Sequence, residues 1–228
     1  MKTTINGLRG RCALTLMLPL LLAAGMFLGG CESDATAPQE PAPQLSEQEA
    51  ASQAGLVAMA VVQVGPEVIT FNEAGKTVYE RNFIGDVSGT VYLDFRMGSA
   101  DGASATWVNG TWVRLYTAAG EPLNIPIGES GSAQMVLDIN AALNRTLNTA
   151  VVGGGGSFAS GPYAATFSFT NLAIAAAGDY PTGGSMTFNG AGFVMTVTFN
   201  GTNTATLAVE DHGTWFINLD TGAVTASM

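Results

Sequence analysis

Histidine and cysteine are almost missing from this sequence. His212 is the one histidine, and Cys12 and Cys31 are the two cysteines, among 228 residues. Zinc and copper sites are built largely from clusters of these residue types, and a Ser-His-Asp triad would depend on His212 alone as its base. The G-x-S-x-G motif of many serine hydrolases is missing too. We therefore expect no catalytic residue, no metal site and no cofactor.

Basic residues are also few, because eight lysines and arginines stand against 18 aspartates and glutamates. Nucleic acids and anionic lipid head groups are bound through clusters of basic side chains, so we expect no nucleic acid partner. The acidic residues are scattered singly over predicted turns and polar strand faces: Glu80, Asp86, Asp94, Asp101, Asp138, Glu210 and Asp220. Solvated surface is the favoured interpretation of them, with a carboxylate pair for glycoside hydrolysis as the alternative.

An apolar run of membrane-spanning length is lacking as well. The run from Ala13 to Phe27 covers 15 residues, whereas a transmembrane helix needs about 20. The apolar region of a secretory signal takes roughly 7–15 residues. Lys2, Arg9 and Arg11 precede the run, and no acidic residue does. This pattern favours a cleaved leader over a membrane-spanning anchor.

The leader ends in Leu28-Gly29-Gly30-Cys31, which resembles the lipobox of bacterial lipoproteins. The resemblance covers residues 1–31 only. It implies that residues 1–30 are a signal peptide, that cleavage falls between Gly30 and Cys31, and that Cys31 carries diacylglycerol and an amino-terminal acyl chain such as palmitate. Residue 32 is glutamate rather than the aspartate that tends to retain such proteins at the inner membrane. In a cell with two membranes, the resemblance therefore favours the outer one.

The mature chain would begin at Cys31 and keep five basic residues, which gives it a formal side-chain charge of −13. Its single thiol excludes an internal disulfide. Residues 31–44 contain three prolines, acidic groups and no large apolar residue, a composition that cannot offset the entropy of ordering. We predict a disordered tether over 31–44 and a single folded domain over 45–228.

The folded domain is expected to begin with a helix over about 46–60. Ser46 and Glu49 have the S-x-x-E spacing of a capping box, and Gly65-Pro66 provides a stop signal. The apolar end of this helix is expected to pack on the domain, and at this length it is too short to cross a membrane.

From Val68 onward, apolar and polar residues alternate in short runs separated by turn residues. This period of two is typical of half-buried strands, and it predicts a mainly β fold: an antiparallel sandwich, barrel or half-barrel with one N-terminal helix. The alternating apolar sets are Val91-Leu93-Phe95-Met97, Leu123-Ile125-Ile127, Met135-Leu137-Ile139, Phe167-Phe169 and Phe193-Met195-Val197-Phe199.

Two glycine-containing segments lead to specific expectations. The run Gly153 to Gly156 predicts a mobile loop. Around Asn200-Gly201, a loop with an odd number of residues would set Phe193 and Met195 opposite the apolar residues Ala205, Leu207 or Val209. Burying large side chains is favourable by about 1.5–3 kcal/mol each, so we predict a three-residue loop with a bulge rather than a two-residue turn.

The aromatic residues around Asn109-Gly110 suggest a binding face. A two-residue turn there would set Trp107 directly opposite Trp112, near Arg114 and Tyr116. Core packing is the default explanation for such a pair. If the face is exposed, Trp107, Trp112 and Tyr116 could bind sugar rings or a partner protein.

The sequence therefore predicts a non-catalytic binding or structural lipoprotein of the cell envelope, attached to the membrane through Cys31 and with a protein or glycan as its ligand. One alternative is a carrier or chaperone of lipids or lipoproteins, with the sheet curled around the helix and leaving an apolar pocket. The second is an envelope hydrolase that uses His212 or a carboxylate pair. A cavity or a convergent cleft would distinguish these alternatives.

Overall fold

The computed structural model describes residues 45–70, 78–97, 111–129, 131–144 and 147–227. The predicted signal peptide and tether lie outside these residues, as do Gly30, Cys31 and Trp107. The described helices and strands are α1 (Glu47–Val64), α2 (Glu67–Thr70), β1 (Val78–Phe83), β2 (Gly89–Met97), β3 (Thr111–Tyr116), β4 (Leu123–Ile127), β5 (Gly131–Asn144), β6 (Thr149–Ser160), β7 (Tyr163–Ala175), β8 (Gly183–Gly190), β9 (Phe193–Thr198), β10 (Thr204–Val209), β11 (Thr214–Asn218) and β12 (Val224–Ala226).

Helix α1 begins with the predicted capping box. Ser46 Oγ accepts a hydrogen bond from the Glu49 amide at 3.3 Å, and the Glu49 carboxylate accepts one from the Ser46 amide at 2.8 Å. The helix runs to Val64, four residues beyond the expected end, and the Gly65 amide closes it by donating to the Val61 carbonyl at 2.7 Å. The Gly-Pro stop signal therefore sets the end, and the prediction of residue 60 was too short.

The length argument against membrane crossing was wrong for the same reason. The helical segment Glu47–Ile69 is 23 residues long and, among the described residues, is the one helix long and apolar enough to span a membrane. Of its most apolar window, 61% is buried inside the fold. Ala54, Val57 and Ala58, for example, have no solvent exposure. Its apolarity is therefore that of a core helix packed on the sheet.

The twelve described strands form one antiparallel sheet that is not closed into a barrel. The order follows the chain from β1 to β12, except that β3 and β4 both pair with β5, at Asp138–Leu143 and Gly131–Met135 respectively. Helix α1 contacts β8, β9, β11 and β12, while α2 contacts β3 and β6. An antiparallel sheet with one N-terminal helix confirms the predicted class, and the open sheet rules out the closed form.

Alternation of burial decides which face of each strand packs on the helix. In β5, Met135, Leu137 and Ile139 are buried, and the residues between them are exposed. The same parity holds for Phe167 and Phe169 in β7. One hydrophobic cluster joins these inner side chains to α1. The other sheet face is therefore the outer surface of the domain.

The glycine run is not a loop, because Gly153 to Gly156 lie inside β6. All four glycines pair with β5, and Gly154 to Gly156 also pair with β7. A Cβ atom on Gly155 would lie 2.0 Å from the Phe167 carbonyl oxygen of β7, and one on Gly156 would lie 2.0 Å from the Val136 carbonyl oxygen of β5. Gly154 has a positive φ of 88° beside a register shift after Val152. Because glycine has no side chain, the backbones of the neighbouring strands can approach this closely. The glycine run therefore forms a bulged strand.

Around Asn200-Gly201 the predicted parity is confirmed, and the predicted length was wrong. Met195 pairs with Val209 and Val197 with Leu207, so apolar residues face each other as expected. The connection runs from Phe199 to Asn203, five residues rather than three. Phe199 is buried, which explains the extra length: the loop also contributes to the core.

Candidate binding surface

The outer face of β2, β3 and β5 carries a cluster of aromatic and charged side chains. It consists of Tyr92, Arg114, Tyr116 and Asp138, and we call it the Tyr–Arg cluster. These residues face outward because their chain neighbours are core residues. Those neighbours, Val91, Leu93, Val113, Leu115 and Leu137, are at most 2% exposed. In register, Tyr92 pairs with Tyr116, and Tyr116 pairs with Asp138.

Arg114 is held in a fixed orientation on this surface. Its Nε donates to Asp138 Oδ1 at 2.7 Å and its Nη2 donates to Asp138 Oδ2 at 2.8 Å. The guanidinium carbon also lies 4.6 Å from the centre of the Tyr116 ring. The hydrogen bonds that Arg114 donates to the Asp138 carboxylate raise the pKa of Arg114 above its ordinary value. Because 40% of the Arg114 side chain stays exposed, the oriented cation remains available to a ligand.

The two tyrosines form the apolar part of the cluster. Their rings stack with centres 5.7 Å apart and planes inclined by 28°, and the Tyr92 hydroxyl donates to Glu121 Oε2 at 3.2 Å. Burial of the phenol, with the negative charge of Glu121 beside it, raises the pKa of Tyr92. Tyr92 is therefore a neutral hydrogen-bonding group at physiological pH, not a base.

The structure separates the predicted binding residues. Tyr116 lies half-buried in the Tyr–Arg cluster, whereas Trp112 is only 8% exposed and Trp107 lies outside the described residues. Trp112 is therefore not part of an open indole platform. Sequence reasoning did not assign Tyr92 and Asp138 to the site. Alternation alone places Tyr92 on the polar face of β2, but joining it to Asp138 requires the strand pairing.

His212 lies in the turn between β10 and β11 and is 45% exposed at its side chain. Its Nδ1 lies 3.3 Å from Glu47 Oε2, and Glu47 Oε1 accepts a hydrogen bond from Trp215 Nε1 at 2.7 Å. The Phe193 ring packs edge-on against the imidazole, with centres 5.3 Å apart. No hydroxyl among the described residues hydrogen-bonds to His212, so this part of the chain holds no Ser-His-acid triad. The contacts instead tie the first turn of α1 to the sheet.

The other acidic residues that the structure describes do not gather into a metal site. In the described ranges, no group of three or more histidine, cysteine, aspartate or glutamate side chains lies close enough to hold an ion. Asp220, for example, accepts a hydrogen bond from the Tyr180 hydroxyl at 2.5 Å. That bond raises the pKa of Tyr180. Asp220 thus has a structural partner.

An open depression lies beside α1, lined by residues that include Leu56 and Met59. Its volume is about 240 Å³, below the roughly 300–1,000 Å³ of typical ligand pockets. Leu56 and Met59 meet the carboxylates of Asp86 and Asp220 there. This depression therefore does not fit the apolar pocket expected of a lipid carrier.

Comparisons with protein-family models, with curated proteins and with solved structures find no match to this chain. The interpretation of the site therefore depends on its own geometry.

Proposed function

We propose that the protein is an exported lipoprotein of the cell envelope, anchored through lipidated Cys31, and that it binds a protein partner through the Tyr–Arg cluster without catalysis. In a cell with two membranes, we place the anchor in the outer one. The attachment rests on the charged leader, the short apolar run and the small residues before Cys31. The predicted tether over residues 31–44 separates the folded domain from the membrane in this proposal.

The arrangement of Arg114 is the observation that carries the binding proposal. Tyrosine and arginine are over-represented among the residues that dominate binding energy at protein interfaces. Asp138 and Tyr116 hold the Arg114 guanidinium in one orientation before any ligand arrives, which reduces the entropy lost on binding. The exposed carboxylate of Glu121 and the hydroxyl of Tyr92 add polar groups at the edge of this surface.

A protein partner fits the cluster better than a sugar does. Sugar rings bind by stacking on the open face of an aromatic ring, whereas the Tyr116 ring already contacts Tyr92 and the Arg114 guanidinium. The cluster instead offers the N–H donors of the Arg114 guanidinium and the edges of two phenol rings. Carboxylates and backbone carbonyls of a protein are the natural acceptors for such groups.

The binding proposal is tested with proximity crosslinking in detergent-solubilised envelopes, comparing the native protein with Arg114→Ala and Tyr116→Ala. Arg81→Ala is the matched control, because Arg81 is also an exposed arginine paired with a carboxylate, Glu67, at 3.3 Å. We expect a partner captured by the native protein and by Arg81→Ala to be lost from both cluster variants. Purified partner should then bind Arg114→Ala about 30-fold more weakly, as expected for a hot spot of about 2 kcal/mol. Equal capture by all four proteins would refute the role of the cluster.

The membrane proposal has its own test, in which the leader is replaced by a signal peptide that carries no lipobox cysteine. We expect this protein to be exported and soluble, because a lipid anchor attached at residue 31 is the membrane attachment we propose. If it still partitions into detergent with the membrane fraction, the anchor lies elsewhere.

A further inference from the structure

The outer face of β7–β12 carries no ionisable side chain, although the chain as a whole has 26 of them among aspartate, glutamate, lysine and arginine. Globular domains ordinarily contain about 25% charged residues, which lie mostly at the surface. Short hydroxyl, amide and methyl groups occupy this face instead. The outward-facing residues of the six strands include Ala164, Thr166, Ser168, Thr170, Asn171, Ala173, Ser185, Thr187, Asn189, Val194, Thr196, Thr198, Thr204, Thr206, Ala208, Thr214, Phe216, Asn218 and Thr225.

Strand pairing aligns these residues into rows across the sheet. One row runs over all six strands, because each member pairs with the next in register: Thr170, Ser185, Thr198, Thr206, Phe216 and Thr225. With neighbouring strands roughly 4.8 Å apart, the row is about 24 Å long. Among the described residues, no side-chain hydrogen bond to another protein group engages the hydroxyls of this row. These groups are therefore available to a ligand.

Phe216 is the one aromatic residue in this row, and it is exposed. It is 41% accessible to solvent, while its chain neighbour Ile217 is fully buried, so the ring lies on the outer face. Thr206 and Thr225 are its cross-strand neighbours on either side. High β propensity explains threonine on a solvated sheet face. Phenylalanine also has a high β propensity, but propensity does not explain the complete lack of charged side chains on this face.

We propose that this face, which is separate from the Tyr–Arg cluster, binds a neutral polysaccharide. A sugar ring would stack on Phe216, and its hydroxyl groups would exchange hydrogen bonds with Thr206, Thr225 and the row beyond. Charge selects this class of ligand. An anionic polymer would find no cation on the face and would be repelled by the acidic domain, while a basic partner would be drawn to the carboxylates elsewhere. An uncharged polyol meets neither obstacle.

The test is affinity electrophoresis of the detergent-solubilised mature protein in native gels that contain dextran, galactomannan, hydroxyethyl cellulose or soluble starch. We expect at least one of these neutral polymers to retard the protein, with little change on adding salt. Phe216→Ala should weaken that binding about tenfold or more, whereas Phe216→Tyr should preserve it because stacking needs only the aromatic face. Tyr116→Ala should bind like the native protein, so failure of the Tyr–Arg proposal is distinguished from failure of this one.

Three outcomes would overturn the proposal. The first is that none of the four polymers retards the native protein. The second is retardation that Phe216→Ala leaves unchanged. The third is concentration-dependent self-association in sedimentation velocity that Phe216→Ala abolishes, which would make this face an interface between copies of the chain.

Discussion

The glycines of β6 provide the sharpest test of the fold, through Gly155→Ala compared with Gly153→Ala. The new Cβ atom at residue 155 would lie 2.0 Å from the Phe167 carbonyl oxygen and 2.8 Å from the Ser168 Cα. Carbon atoms in favourable contact lie about 3.5–4.0 Å apart, and both obstacles are backbone atoms that cannot rotate away. Strands β6 and β7 would have to move apart by about 1 Å or more. This movement would break hydrogen bonds between the two strands at the centre of the sheet.

The two substitutions should therefore change stability in opposite directions. Overpacking typically costs about 1–3 kcal/mol, and a rigid backbone obstacle places Gly155→Ala at the upper end of that range. At Gly153, nothing lies within 4 Å of an added Cβ, and replacing glycine by alanine restricts the unfolded chain, which stabilises by about 0.4–1 kcal/mol.

Urea unfolding followed by circular dichroism measures both changes in the free energy of unfolding, and thermal unfolding measures the melting temperatures. For a domain of this size, each kcal/mol shifts the melting temperature by roughly 2–4 °C, so Gly155→Ala, at about 3 kcal/mol, should melt about 6–12 °C below the native protein. Gly153→Ala should melt at or slightly above it. Equal stability of the two variants within about 0.5 kcal/mol, the usual size of a surface effect, would refute the close approach of β6 and β7.

Three further predictions concern helix α1 and its contacts. Ser46→Ala should destabilise the domain by about 1 kcal/mol in urea unfolding, because the Glu49 amide loses its acceptor. Hydrogen bonds donated by Ser46 lower the pKa of the Glu49 carboxyl below its ordinary value of 4.5. The stabilisation that ionised Glu49 gives to the folded state is therefore fully present above pH 4.5, and it is lost as the pH falls through the lowered pKa. Glu49→Gln should flatten that part of an acid unfolding curve, and an unchanged curve would contradict the capping role. Trp215→Phe removes the donor to Glu47 and should lower stability by about 1–2 kcal/mol, with a loss near zero showing that this contact does not hold α1.

Local patterns in the sequence predicted the features that depend on neighbouring residues. The capping box of Ser46 and Glu49, the burial parity of β5 and the odd pairing of Met195 with Val209 each follow from spacing and burial alone. Loop length did not follow in the same way, because burial of Phe199 in the core decides it. Which residues of β9 and β10 face each other follows from the local alternation of apolar residues. The length of the loop between them depends on tertiary packing.

The glycine run was misread because its conformation is set by its neighbours. Four residues without side chains usually signal a loop, yet Gly155 and Gly156 lie where backbones of adjacent strands leave no room for a Cβ atom. Sequence periodicity cannot report such an approach, since it arises between strands. The register shift beside Gly154 also produces a β-bulge, and no periodic pattern in the sequence predicts it.

The candidate site was predicted only in part for a related reason. Alternation placed Arg114 and Tyr116 on one face of β3, as found, but it could not show that Trp112 is buried while they keep part of their surface in solvent. The partners Tyr92 and Asp138 come from β2 and β5, which border β3 only after folding. The uncharged rows on β7–β12 likewise depend on a register that loop lengths determine.

The central proposal is tested most directly by mass spectrometry. The protein is purified from the membrane fraction, and the mass of its amino-terminal peptide is measured. Lipoprotein processing predicts that this peptide begins at Cys31 and carries the added mass of diacylglycerol, together with an amide-linked acyl chain in cells that complete the modification. An unmodified peptide beginning at Cys31, or a mature chain that begins at any other residue, would contradict the account of this protein as an anchored lipoprotein.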